Sequence, residues 1–413
     1  MRTHRYPAAA VVLSAVGVTA LLIGGTPSAT ATTPSRTPSV GETAGRTPHA
    51  RGVRPSDPYD PASGHPYRHG VVPTRSGDAK MRSWVKAHDS AGVPVVPQTL
   101  SYGGGIGGVG VLDGKVKVYL VFYGSQWGAQ GVNRRLDATF SGDPYGAAPV
   151  AQEMFKGVGT GGERWSADLT QWCDGPNVAA GATGCPVGAR FIPYQSGGVL
   201  AGVWYDSARS PGSASGHQLG QVAVAAARHF GNTTPAANRQ AYYVILSPHG
   251  TDPDHYLGQY CAWHDSTADP TLTGGAVASP YGNLAFSNQP YTMDAGASCG
   301  TGFVNSPGLW DGWTITLGHE WHEAMSDPLP AGGWTNNTSS SYNGEEDADE
   351  CAWLTPRTPG GAADVAMGTG TFAEQSDWSN DTDSCTIAHP IVSHPVVGHE
   401  PGDVAVARGR AAG

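Results

Sequence analysis

Short β-branched and aromatic runs alternate with helical stretches along this chain, and that alternation narrows its possible folds to a sheet layered with helices. Residues 116–122 (VKVYLVF) and 242–246 (YYVIL) have the composition of buried strands, with 199–205 as a third. Helical stretches fall at 148–155 and 218–230, and in the second Leu219, Val222 and Ala226 share one face. The order predicts an α/β (or α+β) fold, a mixed sheet flanked by helices and joined by long Gly-rich loops. With Gly 59 and Pro 32 in 413 residues, coiled coils and helical arrays are excluded.

The ends read differently from this body. Arg2 and Arg5 precede an apolar run over 8–25, and Ala29-Thr30-Ala31 places small residues where a signal peptidase cuts, so 1–31 is expected to be a secretory signal. An uncleaved anchor is the competing reading, since about 18 apolar residues almost span a bilayer. No second apolar run of that length follows, so no stable membrane anchor is expected after cleavage. Residues 32–100 are rich in Pro, Ser, Thr, Gly, Arg and His without a sustained apolar period and are expected to be a disordered linker or a pro-segment. The single α/β body is expected over 101–395 and a flexible tail over 396–413.

Charge excludes one class of partner. Residues 1–100 carry 11 basic against 5 acidic side chains, whereas 101–413 carry 13 against 29. A body this acidic repels phosphate backbones, so nucleic-acid binding is not expected. The basic front could instead cover an acidic cleft until it is removed.

Six cysteines in an exported chain favour disulfides, and pairing in chain order (Cys173 with Cys185, Cys261 with Cys299, Cys351 with Cys385) staples three Gly- and Asp-rich loops locally. A zinc cluster is the alternative, but no C-x-x-C spacing occurs.

Three motifs compete for the chemistry. Gly105-Ile-Gly107-Gly-Val-Gly110 matches G-x-G-x-x-G but precedes a strand, whereas a phosphate cradle needs a helix N-terminus. Gly296-Ala-Ser298-Cys299-Gly300 matches the serine-hydrolase elbow without a strand before it or a helix after it, with His389 or His394 as the downstream base in the usual chain order. The third stretch, 311–328 (DGWTITLGHEWHEAMSDP), predicts a helix capped by Asp311 and stopped at Pro328. At about 100° per residue, His319, Glu323, Thr316, Asp327, Glu320 and His322 share a polar face, opposite Trp313, Leu317, Trp321, Ala324 and Met325. That face has no Lys or Arg, and like charges a turn apart repel by about 0.2–0.5 kcal/mol per pair, so a cation is expected among them.

His319-Glu320-x-x-Glu323 has the layout of the zinc-protease helix H-E-x-x-H with glutamate in place of the second histidine. Residues one turn apart can clamp one ion, while Glu320 would reach a water on it as general base. A further ligand is expected from 345–350 (EEDADE): Glu346, with Asp349 as ligand or as partner of His319. The acidic run also reads as a solvated loop or an oxygen-only calcium site, and His322 as a surface or substrate-contact residue. One His with carboxylates makes a divalent metal the expected cofactor, zinc first, with manganese, iron or calcium open. A glycosidase pair of Glu320 and Glu323 is disfavoured, because carboxylates on one helical turn cannot flank a sugar from opposite faces.

Several segments resemble the bacterial secreted relatives of the plant phosphate-induced/EXORDIUM-like family: KVKVYLVFYG at 115–124, YYVILSPHGTDPD at 242–254, YCAWHD at 260–265, PYTMDAGASCG at 290–300, GHEWHEAMSDPLPAGGW at 318–334 and EEDADECAW at 345–353. The resemblance spans about 101–395 and implies export to the wall or medium, with growth and cell-wall responses in the plant members. Its H-E-x-x-E and E-x-x-D-x-C patterns fall on His319, Glu320, Glu323, Glu346, Asp349 and Cys351. The resulting expectation is a secreted, peptidase-like metallohydrolase acting on a peptide or cell-wall substrate. A non-catalytic extracellular protein with a structural cation is the alternative.

Overall fold

The computed structural model describes residues 70–89, 98–209, 212–337 and 342–394. The signal segment, residues 32–69 and 90–97 of the expected linker, and the tail lie outside the described residues. Six strands form one mixed sheet: β1 (Val71–Pro73), β2 (Lys117–Tyr123), β3 (Leu200–Asp206), β4 (Ala241–Leu246), β5 (Tyr260–Ser266) and β6 (Ala285–Gln289), in the spatial order β1-β5-β6-β4-β2-β3. The last four positions are parallel, and β1 and β5 add an antiparallel edge.

The helices are α1 (Arg75–Asp89), α2 (Ala147–Gly157), α3 (Gly216–His229) and α4 (Asp311–Ser326), among shorter elements. Successive side chains of a strand point to opposite faces, so β2 and β4 feed two cores. Val118, Leu120, Phe122, Tyr242, Val244 and Leu246 pack with α2 and α4, while Tyr119, Val121, Tyr123, Tyr243 and Ile245 pack with α3. The expected α/β class is therefore the observed one. Cysteines pair as 173–185, 261–299 and 351–385.

One boundary differs from expectation. Residues 70–89, assigned by composition to a linker or pro-segment, belong to the body: β1 pairs with β5, Trp353 Nε1 donates to Pro73 O at 2.7 Å, and Arg82 donates to Ala352 O at 3.1 Å. Val71-Val72-Pro73 is too short to give a period, and it is buried against β5, which is distant in sequence.

Helix α4 also departs from the two-faced reading, because all sixteen of its residues are buried. Trp313, Leu317 and Trp321 fill the core at about 2–3 kcal/mol each. It also makes polar contacts: Tyr242 donates to Glu320 O at 3.0 Å, Gln289 to Thr316 at 2.8 Å, and Thr314 to Ala373 O at 2.6 Å. Asp311 does not cap the helix; Trp310 is the N-cap, and Asp311 accepts from the 304 and 305 amides instead. Asp327 leaves helical geometry at the C-cap and accepts from the 331, 332 and 333 amides, tying down the loop after Pro328.

Candidate metal centre

The polar face of α4 meets two other segments. Strand β5 brings His264, and a turn at 346–351 brings Glu346, Asp347 and Asp349. His264, His319, Glu320, Glu323, Glu346 and Asp347 are all at most 1% exposed and Asp349 is 8% exposed. Among the described residues no Lys or Arg pairs with Glu320, Glu323, Glu346, Asp347 or Asp349. A buried carboxylate without a partner costs several kcal/mol, so these side chains demand positive charge.

Two clusters form, and both contain Glu323. In the first, His319 Nε2 lies 2.8 Å from Glu323 Oε1 and 3.3 Å from Asp349 Oδ1. In the second, His264 Nδ1 lies 3.3 Å from Glu323 Oε2 and 3.5 Å from Glu320 Oε2. Donor atoms bound at about 2.0–2.2 Å to one ion sit roughly 3–3.5 Å apart in tetrahedral or octahedral geometry. The His-to-carboxylate distances of 2.8–3.5 Å are close to that spacing, all ligand atoms of each cluster lie within 4.8 Å of one another, and these groups can hold a metal ion.

Hydrogen bonds on the far ring nitrogens fix the tautomers. Gln375 donates its amide to Ala348 O at 2.7 Å, so the oxygen of that amide faces His319 Nδ1 at 3.0 Å and requires a proton there. His264 Nε2 is 3.1 Å from the Asp327 carbonyl, again an acceptor only. The inward nitrogens, His319 Nε2 and His264 Nδ1, face carboxylate oxygens and find no donor among the described residues. A ring that donates outward and turns its other nitrogen on carboxylates has the arrangement of a metal ligand. Without a cation a proton takes that place: burial lowers the affinity of both rings for protons, but Glu323 with Asp349, or Glu320 with Glu323, outweighs it and holds both histidines well above their usual range.

Local packing makes these approaches possible. A Cβ on Gly70, whose φ is +64°, would overlap the His264 ring, and Gly70 O accepts the His264 amide at 3.0 Å. The 346–351 turn is held by the Cys351–Cys385 disulfide, by Trp378 N donating to Asp347 O at 2.7 Å, and by Gln98 reaching Glu350 at 2.7 Å. Within the turn, Asp349 Oδ2 accepts from the Glu346 amide, leaving Oδ1 for His319.

Compared with expectation, His319, Glu323 and Asp349 come together, and Glu320 lies beside them with both oxygens buried and unpartnered. Glu346 does not complete the His319 group. It faces His264 Nε2 at 3.6 Å, because the short turn beginning at Asp349 points Asp349 inward at His319 instead. His322 is fully buried rather than at the surface, packed on Trp165 with ring centroids 4.4 Å apart and 3.3 Å from Asp377; burial, with His319 adding to it, pushes the ring down to about 3. Burial raises Glu320 above the usual carboxylate range, against the opposing pull of His264 and His319. His264 and Gln375 were not among the expected residues. The only trace of His264 is its place in the YCAWHD segment, and nothing local marks Gln375.

The other two motifs stay outside this centre. Residues 105–110 form a loop closed by an Ile106–Val109 bridge, and Ser298 sits beside the disulfide of Cys299, while His389 and His394 bond to Pro390 and Thr170. The chain matches no protein-family model, no curated protein and no solved structure. Three disulfides accord with an oxidising compartment, and no helix among the described residues is long and apolar enough to cross a membrane.

Proposed function

We propose that the chain is a secreted metal-dependent hydrolase, peptidase-like in its chemistry, with a peptide or cell-wall polymer as substrate. The observation that carries this reading is His319 Nε2, turned inward while Nδ1 bonds to Gln375, facing Glu323 Oε1 and Asp349 Oδ1 with the Glu320 carboxylate next along the helix. One nitrogen and two carboxylates suit zinc first, with manganese, iron and calcium as the harder alternatives. Such an ion, when bound, acidifies water and polarises a carbonyl. His319, Glu323 and Asp349 hold it, and Gln375 locks the His319 ring. Glu320 Oε1, which has no donor of its own, takes the proton from the attacking water and returns it to the leaving amine. The resemblance to secreted EXORDIUM-like proteins accords with an extracellular substrate.

Near-complete burial of the two histidines favours a second reading, a structural cation in a non-catalytic extracellular protein. Elemental analysis of the purified protein, with peptide hydrolysis by the wild type and Glu320→Gln, separates the two. In the hydrolase reading the variant retains the ion and loses turnover. In the structural reading there is no turnover to lose, and Asp349→Ala lowers thermal stability.

A further inference from the structure

His264 is not used by that chemistry, yet it is fully buried and its Nδ1 points without a hydrogen-bond partner at Glu320 Oε2 and Glu323 Oε2. With the ring proton committed to the Asp327 carbonyl, this nitrogen presents a lone pair to two carboxylate oxygens. Three electron-rich atoms facing each other in a dry interior repel unless something positive lies between them.

We infer that His264, Glu320 and Glu323 form a second divalent-cation site, and that Glu323 bridges it to the first through its two oxygens. This inference rests on the reading of His319, Glu323 and Asp349 as a metal centre and deepens it from one ion to two. Charge balance points the same way. When ionised, Glu320, Glu323, Glu346, Asp347 and Asp349 put five negative charges into this buried centre, more than a single divalent ion neutralises. The separation of the ligand atoms, 3.3 and 3.5 Å about His264 Nδ1, is that of a first-row ion or magnesium. Paired ions about 3.5–4 Å apart clamp both the attacking and the departing oxygen in hydrolysis. Glu320 then gives Oε2 to the second ion and keeps Oε1 for the proton.

Manganese(II) is the probe that tests this, titrated into the metal-stripped full-length chain and followed by bound stoichiometry and electron paramagnetic resonance. Two equivalents with an exchange-coupled signal are expected, falling in His264→Ala to one equivalent with an isolated-ion signal. Anomalous scattering at the manganese edge on the wild type, two peaks beside Glu323, gives the same answer without a variant that must fold. One equivalent with an isolated-ion signal, unchanged by His264→Ala and abolished by His319→Ala, overturns the second site and leaves the first intact. No binding in the wild type overturns both.

Discussion

Glu323 Oε1 lies 2.8 Å from His319 Nε2, one helical turn away, in an interior where neither side chain is exposed to solvent. On a helix surface such a pair contributes about 0.3–0.5 kcal/mol and would specify little. Here it is flanked by Asp349 and Glu320 with no Lys or Arg among the described residues, so the charge surplus is what the interior has to resolve. A cation resolves it while leaving each His ring its outward hydrogen bond.

Replacing Glu320 by Gln keeps the shape of the side chain and removes its basicity. Hydrolysis is expected to fall at least about 100-fold, while the ion held by His319 remains. Turnover on a peptide library and metal content of the same sample check this together.

Gln375 acts on the centre through its bond to His319 and through its amide bond to Ala348 O beside Asp349. Gln375→Leu is expected to weaken metal binding by about 10–100-fold with the fold retained, because the ring loses the acceptor that selects its tautomer. Competition with a chromophoric chelator measures the change, and circular dichroism checks the fold.

Stability of the metal-free chain should fall as pH rises. Asp168, Glu374 and Asp377 are fully buried, and burial first, with neighbouring carboxylates adding to it, raises all three well above the ordinary range. In the unfolded chain they titrate near about 4, so above that pH the folded state binds more protons, and its stability declines through neutrality. Thermal melts in chelator are expected to give a higher Tm at pH 5 than at pH 8, with the slope reduced in Asp377→Asn. A slope of the opposite sign contradicts the assignment.

The parts of this fold that were legible are those in which burial and apolarity coincide. Strands β2, β3 and β4 and helices α2 and α3 fall within a residue or two of their expected places. Strands β5 and β6 escaped because His264, Asp265, Ser287, Asn288 and Gln289 are polar and yet at most 2% exposed. Polarity of that kind reads as loop unless one knows what lies opposite. The i,i+4 spacing disclosed His319 and Glu323, since a helix fixes which side chains neighbour one another. Which carboxylate of 345–350 reaches His319 depends on the path of a turn that spacing does not set: the pattern points to Glu346, and Asp349 is the one that arrives. The contribution of β1 is legible only from its pairing with β5.

The Cys351–Cys385 bridge closes a loop of 34 residues that contains the β-hairpin carrying Gln375 at its end and begins two residues after Asp349. Loop-closure entropy assigns it about 4 kcal/mol. Cys351→Ser with Cys385→Ser is expected to lower unfolding free energy by about that amount and to weaken metal binding as well, measured by denaturant titration with and without the ion.

The central claim, that His319, Glu323 and Asp349 converge on a divalent cation, is tested most directly by anomalous diffraction at metal edges on crystals of the purified protein. A peak within coordination distance of all three side chains, lost in His319→Ala, is the predicted result. Density from water alone between them, after exposure to zinc, manganese and calcium at neutral pH, would contradict it.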